Sequence, residues 1–217
     1  MHKFRASALS EIMTDPKAKT EVLSAGAKTA IEKIAKQFVY GYDETVTSKY
    51  MEKGLMVEDA SIALYNEVFF TDYRKNTERK TNNWITGECD IFTPGKIIDI
   101  KSSWSLQTFP ATAAAGQDKA YEWQGRAYMW LWGVDEFEVA YCLVNTPDEL
   151  IGYEPPDIHF VDHITPELRI TKVRYTRDKS LEEKIQQRVE DANLYLDSVI
   201  KQIASEHSIE GICYGQR

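Results

Sequence analysis

The chain has 217 residues, a formal net charge of -8 and 43% hydrophobic residues in short runs interrupted by charge. This composition is typical of one globular domain, and the apolar runs are shorter than the roughly 20 residues that a membrane-spanning helix needs. The acidic balance argues against a protein that coats nucleic acid by bulk attraction. It is compatible with an enzyme that acts on nucleic acid, because metal ions can neutralise carboxylates where a phosphate approaches.

The N-terminus enters polar sequence without the apolar core of a signal peptide, which predicts a cytoplasmic protein with no membrane partner. Its three cysteines, Cys89, Cys142 and Cys213, are widely spaced and form no CxxC pair. This pattern predicts neither a disulfide framework nor a zinc or four-cysteine iron–sulfur site. We interpret them as ordinary buried thiols.

The chain is predicted to form a single domain, since no linker rich in Pro, Gly or Ser divides it. An N-terminal helical part covers about 1–70, a core covers about 47–145, and a C-terminal strand and long helix cover about 168–206. The clearest helix is predicted from Thr47 to about Phe70. Its apolar stripe contains one carboxylate and consists of Met51, Leu55, Glu58, Ile62 and Tyr65.

The carboxylate of Glu58 is unusual in this stripe, because an unpaired buried charge is costly. It predicts a nearby cation, which is either a metal ion or an inward-facing Lys or Arg.

The next pattern is a hairpin, with one strand from Trp84 to Phe92, a turn at 93–96 and a second strand at 97–100. Asp90 ends the first strand, and period-two alternation places Asp99 and Lys101 on one face of the second.

A polar loop from Ser102 to Gln117 leads to a helix predicted from about Asp118 to Trp132. Its stripe contains one amide, Gln124, which wants hydrogen-bond partners if it is buried, either in a loop backbone or at a phosphate. The following elements are a strand at 137–144, an irregular excursion at 145–166 and a strand at 169–175. A long last helix follows, with Ser180 and Glu183 as its predicted capping box.

In this order the pieces resemble the PD-(D/E)XK nuclease superfamily, and within it the phage-type (lambda exonuclease-like) and RecB-like exonucleases. Glu58 matches the helix motif, Asp90 the aspartate that ends the first strand, and Asp99-Ile100-Lys101 the (D/E)XK element. Gln124-Gly125-Arg126-Ala127-Tyr128 fits the QxxxY helix of this branch. Cys89 stands where the name-giving proline would be, and the cysteine cluster of the iron–sulfur members is missing.

The resemblance implies an α/β fold with a central mixed sheet flanked by helices, as in restriction endonucleases. It implies that Asp90, Asp99, the Ile100 carbonyl and Glu58 hold Mg²⁺, with Mn²⁺ as a substitute. Lys101 would position the attacking water, Gln124 would assist, and Tyr128 and Ser102 would contact substrate. The substrate would be linear double-stranded DNA with free ends, and the location would be the bacterial host cytoplasm for a phage-derived protein.

The segment from Phe4 to Ser10 also resembles the N-terminal piece of phage exonucleases. Arg5 and Ser7 would receive a terminal 5′-phosphate, which predicts 5′ to 3′ digestion; the alternative is a surface arginine. A homo-oligomeric ring and a recombinase that anneals single strands are further implied partners. Two alternatives stay open: an endonuclease of the same fold, and a catalytically inactive DNA-binding or assembly module.

Overall fold

The computed structural model describes residues 1–44 and 47–208. In chain order, the helices of this part are α1 (Ser10–Met13), α2 (Ala25–Tyr40), α3 (Lys49–Met56), α4 (Glu58–Phe69), α5 (Lys119–Trp132), α6 (Asp148–Ile151) and α7 (Lys179–Glu206). The strands are β1 (Phe4–Arg5), β2 (Lys80–Thr81), β3 (Ile85–Gly87), β4 (Ile91–Thr93), β5 (Lys96–Ser102), β6 (Glu136–Cys142) and β7 (Ile170–Thr176). None of the helices in this part is both long and apolar enough to cross a bilayer.

The main sheet is mixed and has the strand order β4-β5-β6-β7. β4 and β5 form the predicted hairpin, β5 and β6 are parallel, and β6 and β7 are antiparallel. A smaller sheet has the order β1-β3-β2, with β1 parallel to β3. The predicted α/β class with a mixed sheet flanked by helices is confirmed, although the strands divide into two sheets.

The two faces of the main sheet bury different cores because side chains alternate along each strand. Ile97 and Phe137 belong to the larger core, which also contains α5, α2 and α7. Ile98 and Ala140 belong to a smaller core under α4. Asp99 and Lys101 share the face of Ile97, so they point towards α5.

A glycine lets α5 approach the sheet closely. A Cβ added at Gly125 would lie 2.0 Å from the Phe137 ring, which leaves no room for any side chain. The helix backbone therefore lies directly on β6. This contact places the neighbouring residue, Gln124, over the strand that carries Asp99.

The prediction of a single helix from Thr47 to Phe70 is wrong, because the helix is interrupted at Val57 and forms two helices, α3 and α4. The predicted stripe is also wrong in its first half, since Met51 is 56% exposed and Leu55 is 76% exposed. α3 instead buries Lys53 completely. Periodicity could not predict this inversion, because it depends on acceptors supplied by distant parts of the chain.

The strand predicted from Trp84 to Phe92 is interrupted between β3 and β4, and the two pieces belong to different sheets. The later elements agree with the prediction to within a few residues. The cap of α7 differs, because Asp178 rather than Ser180 accepts the N-terminal N–H bond. Cys89 and Cys142 are buried, which raises the pKa of both thiols to about 12, whereas Cys213 lies outside the described residues.

Candidate active site

The break between β3 and β4 carries the first acidic residue of the site. Gly87 lies against the Tyr128 ring, where an added Cβ would be 2.7 Å from a ring carbon. The Tyr128 hydroxyl donates to the Glu88 carbonyl at 2.9 Å. Asn76 donates to the Asp90 carbonyl through its backbone N–H at 2.6 Å and to the Cys89 carbonyl through its side chain at 3.0 Å. These bonds replace the sheet ladder and fix the backbone at Asp90.

The Asp90 side chain fills a gap beside β5. β4 begins at Ile91, opposite Ile98, so the next outward-facing N–H of β5 has no strand partner there. Asp90 Oδ2 accepts this N–H, from Ile100, at 2.7 Å. Because the N–H and C=O of one strand residue point to the same neighbour, the Ile100 carbonyl faces the same gap.

On the α5 side, Asp99 and Lys101 form a compact polar group with Gln124. Asp99 is 1% exposed and accepts from Gln124 Nε2 at 3.1 Å. Lys101 Nζ lies 2.6 Å from Asp99 Oδ2 and 3.5 Å from Gln124 Oε1. It also lies 4.7 Å from the centroid of the Tyr121 ring. Gln124 further donates to the Tyr128 hydroxyl at 3.0 Å, so the amide joins the carboxylate to the tyrosine that fixes the strand break.

The charges of this group are perturbed in the way that functional sites often are. Burial, together with the neighbouring Asp99, raises the pKa of Asp90 to about 7. Burial by itself would lower the pKa of Lys101, but the nearby carboxylates of Asp99 and Asp90 raise it. The site therefore holds a permanent ammonium beside two crowded carboxyl groups.

The donors present fit a divalent cation such as Mg²⁺, which prefers oxygen ligands. Asp99 Oδ2 is buried and has no hydrogen bond of acceptable geometry in the described part of the chain, although Lys101 lies beside it. In the same part, no group of three or more His, Cys, Asp or Glu side chains is arranged to hold a metal. The donor set is therefore two carboxylates, Asp90 and Asp99, with the Ile100 carbonyl.

Glu58 begins α4 and forms an ion pair with Lys75. Its side chain is 16% exposed, and its charge contributes to raising the pKa of Asp90. The sequence predicted a cation near Glu58, and in this structure that cation is Lys75. The assignment of Glu58 as a metal ligand stays a prediction.

The four residues predicted to bind substrate lie in different environments. Tyr128 is buried, and its hydroxyl is bonded within the protein. The Ser102 hydroxyl lies 2.8 Å from that of Ser61, under α4. Arg5 and Ser7 are exposed; Arg5 pairs with Thr86 in the small sheet and lines a cleft of about 790 Å³. Their substrate roles stay predictions.

Sequence reasoning missed Lys53, which supports the strand ends behind the site. Its ammonium donates to the carbonyls of Ser103 at 2.6 Å, Trp104 at 3.0 Å and Val144 at 3.0 Å. These carbonyls follow β5 and β6, so one side chain ties together the ends of both strands. Burial lowers the pKa of Lys53 to about 8, while three carbonyl acceptors favour the charged form.

The chain is similar to solved structures of exonucleases. The chain is 36% identical to a phage-related exonuclease from Haemophilus somnus 129PT, with a TM-score of 0.87 over 93% of this chain and 96% of that chain. It is 18% identical to the alkaline exonuclease LHK-Exo from Laribacter hongkongensis, with a TM-score of 0.69 over 95% of this chain and 93% of that one. A second structure of LHK-Exo is a complex with dAMP. No family model matches the chain, and no curated protein matches it.

A mixed sheet with an Asp-x-Lys strand, an aspartate beside it and a Gln-x-x-x-Tyr helix over it defines a nuclease of the PD-(D/E)XK type. The extent and identity of the Haemophilus somnus match go beyond a shared fold. The chain belongs to the phage-related exonucleases.

Proposed function

We propose that this chain is a Mg²⁺-dependent exonuclease that degrades linear duplex DNA from 5′ to 3′ during phage-type recombination. The observation that carries the proposal is the convergence of Asp90, Asp99, Lys101 and Gln124 at one end of β5. Crowded carboxylates next to an ammonium suit phosphodiester hydrolysis, because the first can bind a metal ion and the second can interact with a phosphate.

Asp90, Asp99 and the Ile100 carbonyl would hold the metal, and Glu58 would complete or steer its shell. The metal would supply water activation and charge withdrawal from the scissile phosphate. Lys101, held by Asp99 at 2.6 Å, would orient the attacking water and stabilise the developing phosphate charge. Gln124 would keep the Asp99 carboxylate in place through its bond to Tyr128. The products would carry a 5′-phosphate and a 3′-hydroxyl.

DNA as the substrate is supported by the family and by the dAMP complex of LHK-Exo. The test is a linear duplex labelled at one end and incubated with Mg²⁺, Mn²⁺, Ca²⁺ or EDTA. We expect mononucleotides with Mg²⁺ or Mn²⁺, and binding without turnover with Ca²⁺, which takes more ligands in a looser geometry. Discrete long fragments would indicate an endonuclease, and equal cleavage in EDTA would remove the metal from the mechanism. Binding without any cleavage would leave the inactive module.

The direction rests on Arg5 and Ser7, which would receive the terminal 5′-phosphate, since a guanidinium fork can bond two phosphate oxygens at once. We expect a preference of roughly ten-fold for a 5′-phosphate over a 5′-hydroxyl, or about 1.4 kcal/mol. Arg5→Ala should lose this preference and still cut. Resection from the 3′ end, or no preference in the wild type, would contradict the assigned direction.

A ring-shaped homo-oligomer and an annealing recombinase are the partners that fit this activity, since digestion from 5′ ends leaves a 3′ single strand. Light scattering on the purified protein would measure the oligomeric state. Pull-down of a single-strand annealing protein by the exonuclease would test the partner. A monomer that digests processively would make the ring unnecessary.

A further inference from the structure

Lys75 lies in an irregular segment that hydrogen bonds hold on both sides. On one side, the Asn66 side chain accepts from the Tyr73 N–H and donates to the Tyr73 carbonyl, both at 2.9 Å. On the other side, Asn76 bonds the carbonyls of Cys89 and Asp90. The backbone that carries Lys75 is therefore fixed directly beside the strand break of the candidate active site.

This fixed backbone brings an ammonium group to the acidic end of the site. Lys75 forms an ion pair with Glu58, and the charges of Asp90 and Asp59 act on it as well. The Lys75 side chain is 45% exposed, whereas that of Glu58 is 16% exposed. The lysine can therefore move into solvent at little cost, while the carboxylate has to stay.

The same carboxylate is predicted to serve a metal ion. Two cations compete for one site when both need the same oxygen atoms, because their charges repel and their contacts overlap. Without a metal, the charges of Asp99 and Glu58 both repel that of Asp90, and Lys101 is the counter-ion of Asp99. Lys75 supplies the second counter-ion.

We propose that Lys75 is a resident counter-ion of the metal site, which holds Glu58 in the metal-free enzyme and leaves it when a divalent cation binds. This inference rests on the proposed metal-dependent function and assigns a positioning role to a residue outside the family motifs. Lys75 acts through Glu58. Because a metal ion has to displace Lys75 from Glu58, a higher metal concentration is needed to fill the site. Its removal should tighten metal binding only while Glu58 is present.

The test is the affinity for Mn²⁺, measured without DNA by calorimetry or by the signal of free Mn²⁺ in electron paramagnetic resonance. Four proteins form a double-mutant cycle: wild type, Lys75→Met, Glu58→Gln and the double variant. We expect Lys75→Met to bind Mn²⁺ about ten-fold more tightly than wild type, a change typical of removing one nearby charge. In the Glu58→Gln background, the same substitution should change the affinity by less than about two-fold.

Two controls separate this role from a general effect of charge or folding. Lys28 forms a comparable ion pair with Glu21 elsewhere on the surface, so Lys28→Met should leave the Mn²⁺ affinity unchanged. Lys75→Arg keeps the cation and should therefore keep the wild-type affinity. If Lys75→Met does not fold, Lys75→Gln serves the same cycle, because it also lacks the charge.

A second measurement is the thermal midpoint in EDTA and in Mn²⁺. Lys75→Met should lower the midpoint in EDTA, because the carboxylates lose a counter-ion, and should enlarge the increase on adding Mn²⁺. An unchanged Mn²⁺ affinity, or the same gain in both Glu58 backgrounds, would overturn the role of Lys75 while metal-dependent cleavage by the wild type persists. A wild type that neither binds Mn²⁺ nor cleaves DNA would overturn the proposed function itself.

Discussion

The two faces of the β5–β6 pair each bury a carboxylate, and they treat it in opposite ways. Under α4, Glu138 accepts from the Tyr65 hydroxyl at 2.7 Å and from Arg174 at 2.8 Å, with Lys96 at 3.8 Å. Under α5, Asp99 accepts from Gln124 and pairs with Lys101, but it lies near a second carboxyl group, Asp90, and its Oδ2 has no well-formed hydrogen bond in the described structure.

This difference predicts a structural role for Glu138 and a functional role for Asp99. A buried carboxylate with a full set of donors stabilises the packing around it, since each partner would lose a bond if it left. Two carboxyl groups that are buried side by side without a full set of donors instead destabilise the packing, and such clusters mark sites where a cation or substrate is expected. Substitutions on the two faces test whether Glu138 and Asp99 follow this division.

The largest effect should follow from breaking the α5 face. Asp99→Ala and Lys101→Ala should each reduce the rate of DNA cleavage by about a thousand-fold or more, equivalent to about 4 kcal/mol in activation free energy. The fold should persist, because these residues belong to an under-satisfied polar group. Single-turnover cleavage and circular dichroism would measure the two effects. A variant that keeps a tenth of wild-type activity would exclude that residue from the chemistry.

The next largest effect should come from the opposite face. Glu138→Ala removes the partner of Tyr65, Arg174 and Lys96, and should lower the free energy of unfolding by about 3 kcal/mol. Cleavage by the folded fraction should stay within about two-fold of wild type. Glu138→Gln is the matched control, because it keeps an acceptor for Tyr65 and should lose less stability. Urea denaturation with activity assays well below the midpoint would show both.

A smaller effect should appear in the pH dependence of stability. The pKa of Asp90 is raised to about 7 in the folded chain from its ordinary value of 3.8, so the native state binds a proton that the unfolded chain releases. The stability from this proton is fully present below about pH 4 and is lost as pH rises through about 7. In EDTA, ionisation of Asp90 should therefore lower the stability of the wild type between pH 5 and pH 8.

Asp90→Asn keeps an acceptor for the Ile100 N–H and removes the charge. At pH 8 without metal it should be more stable than wild type by about 1–2 kcal/mol, and its stability should vary less with pH. Thermal unfolding at several pH values measures this. A parallel pH dependence in both proteins would show that another group causes it.

The smallest expected change concerns a residue on neither face of the β5–β6 pair, and it serves as a reference for the substitutions of Asp99 and Glu138. Phe70 follows α4 as its C-cap, with φ at 53°, and is 96% exposed. A left-handed backbone is strained for a residue with a side chain, so Phe70→Gly should raise the free energy of unfolding by about 0.5–1 kcal/mol. Cleavage should not change. A clear loss of cleavage would mean that this exposed ring touches the substrate.

The sequence predicted those parts of the site that depend on local spacing. Asp99 and Lys101 follow from alternation along a strand, and Gln124 and Tyr128 follow from one face of a helix. The strand break at Asp90 could not be predicted, because Tyr128 and Asn76 supply its hydrogen bonds from distant positions. The ion pair of Glu58 with Lys75 was predicted only as a need for some cation. β1 was missed because two residues carry no detectable periodicity.

The buried ammonium of Lys53 has a consequence for chemical labelling. All three of its N–H groups donate hydrogen bonds to carbonyls at the ends of β5 and β6, and the side chain is fully buried. An amine reagent such as an acetylating ester can modify Lys53 only when those strand ends separate, whereas Lys119, with 85% of its side chain exposed, reacts at once. Acetylation of Lys53 over time, followed by mass spectrometry, would therefore measure how often the ends of β5 and β6 separate. If that opening accompanies catalysis, substrate DNA should change the labelling rate of Lys53 and leave that of Lys119 unchanged.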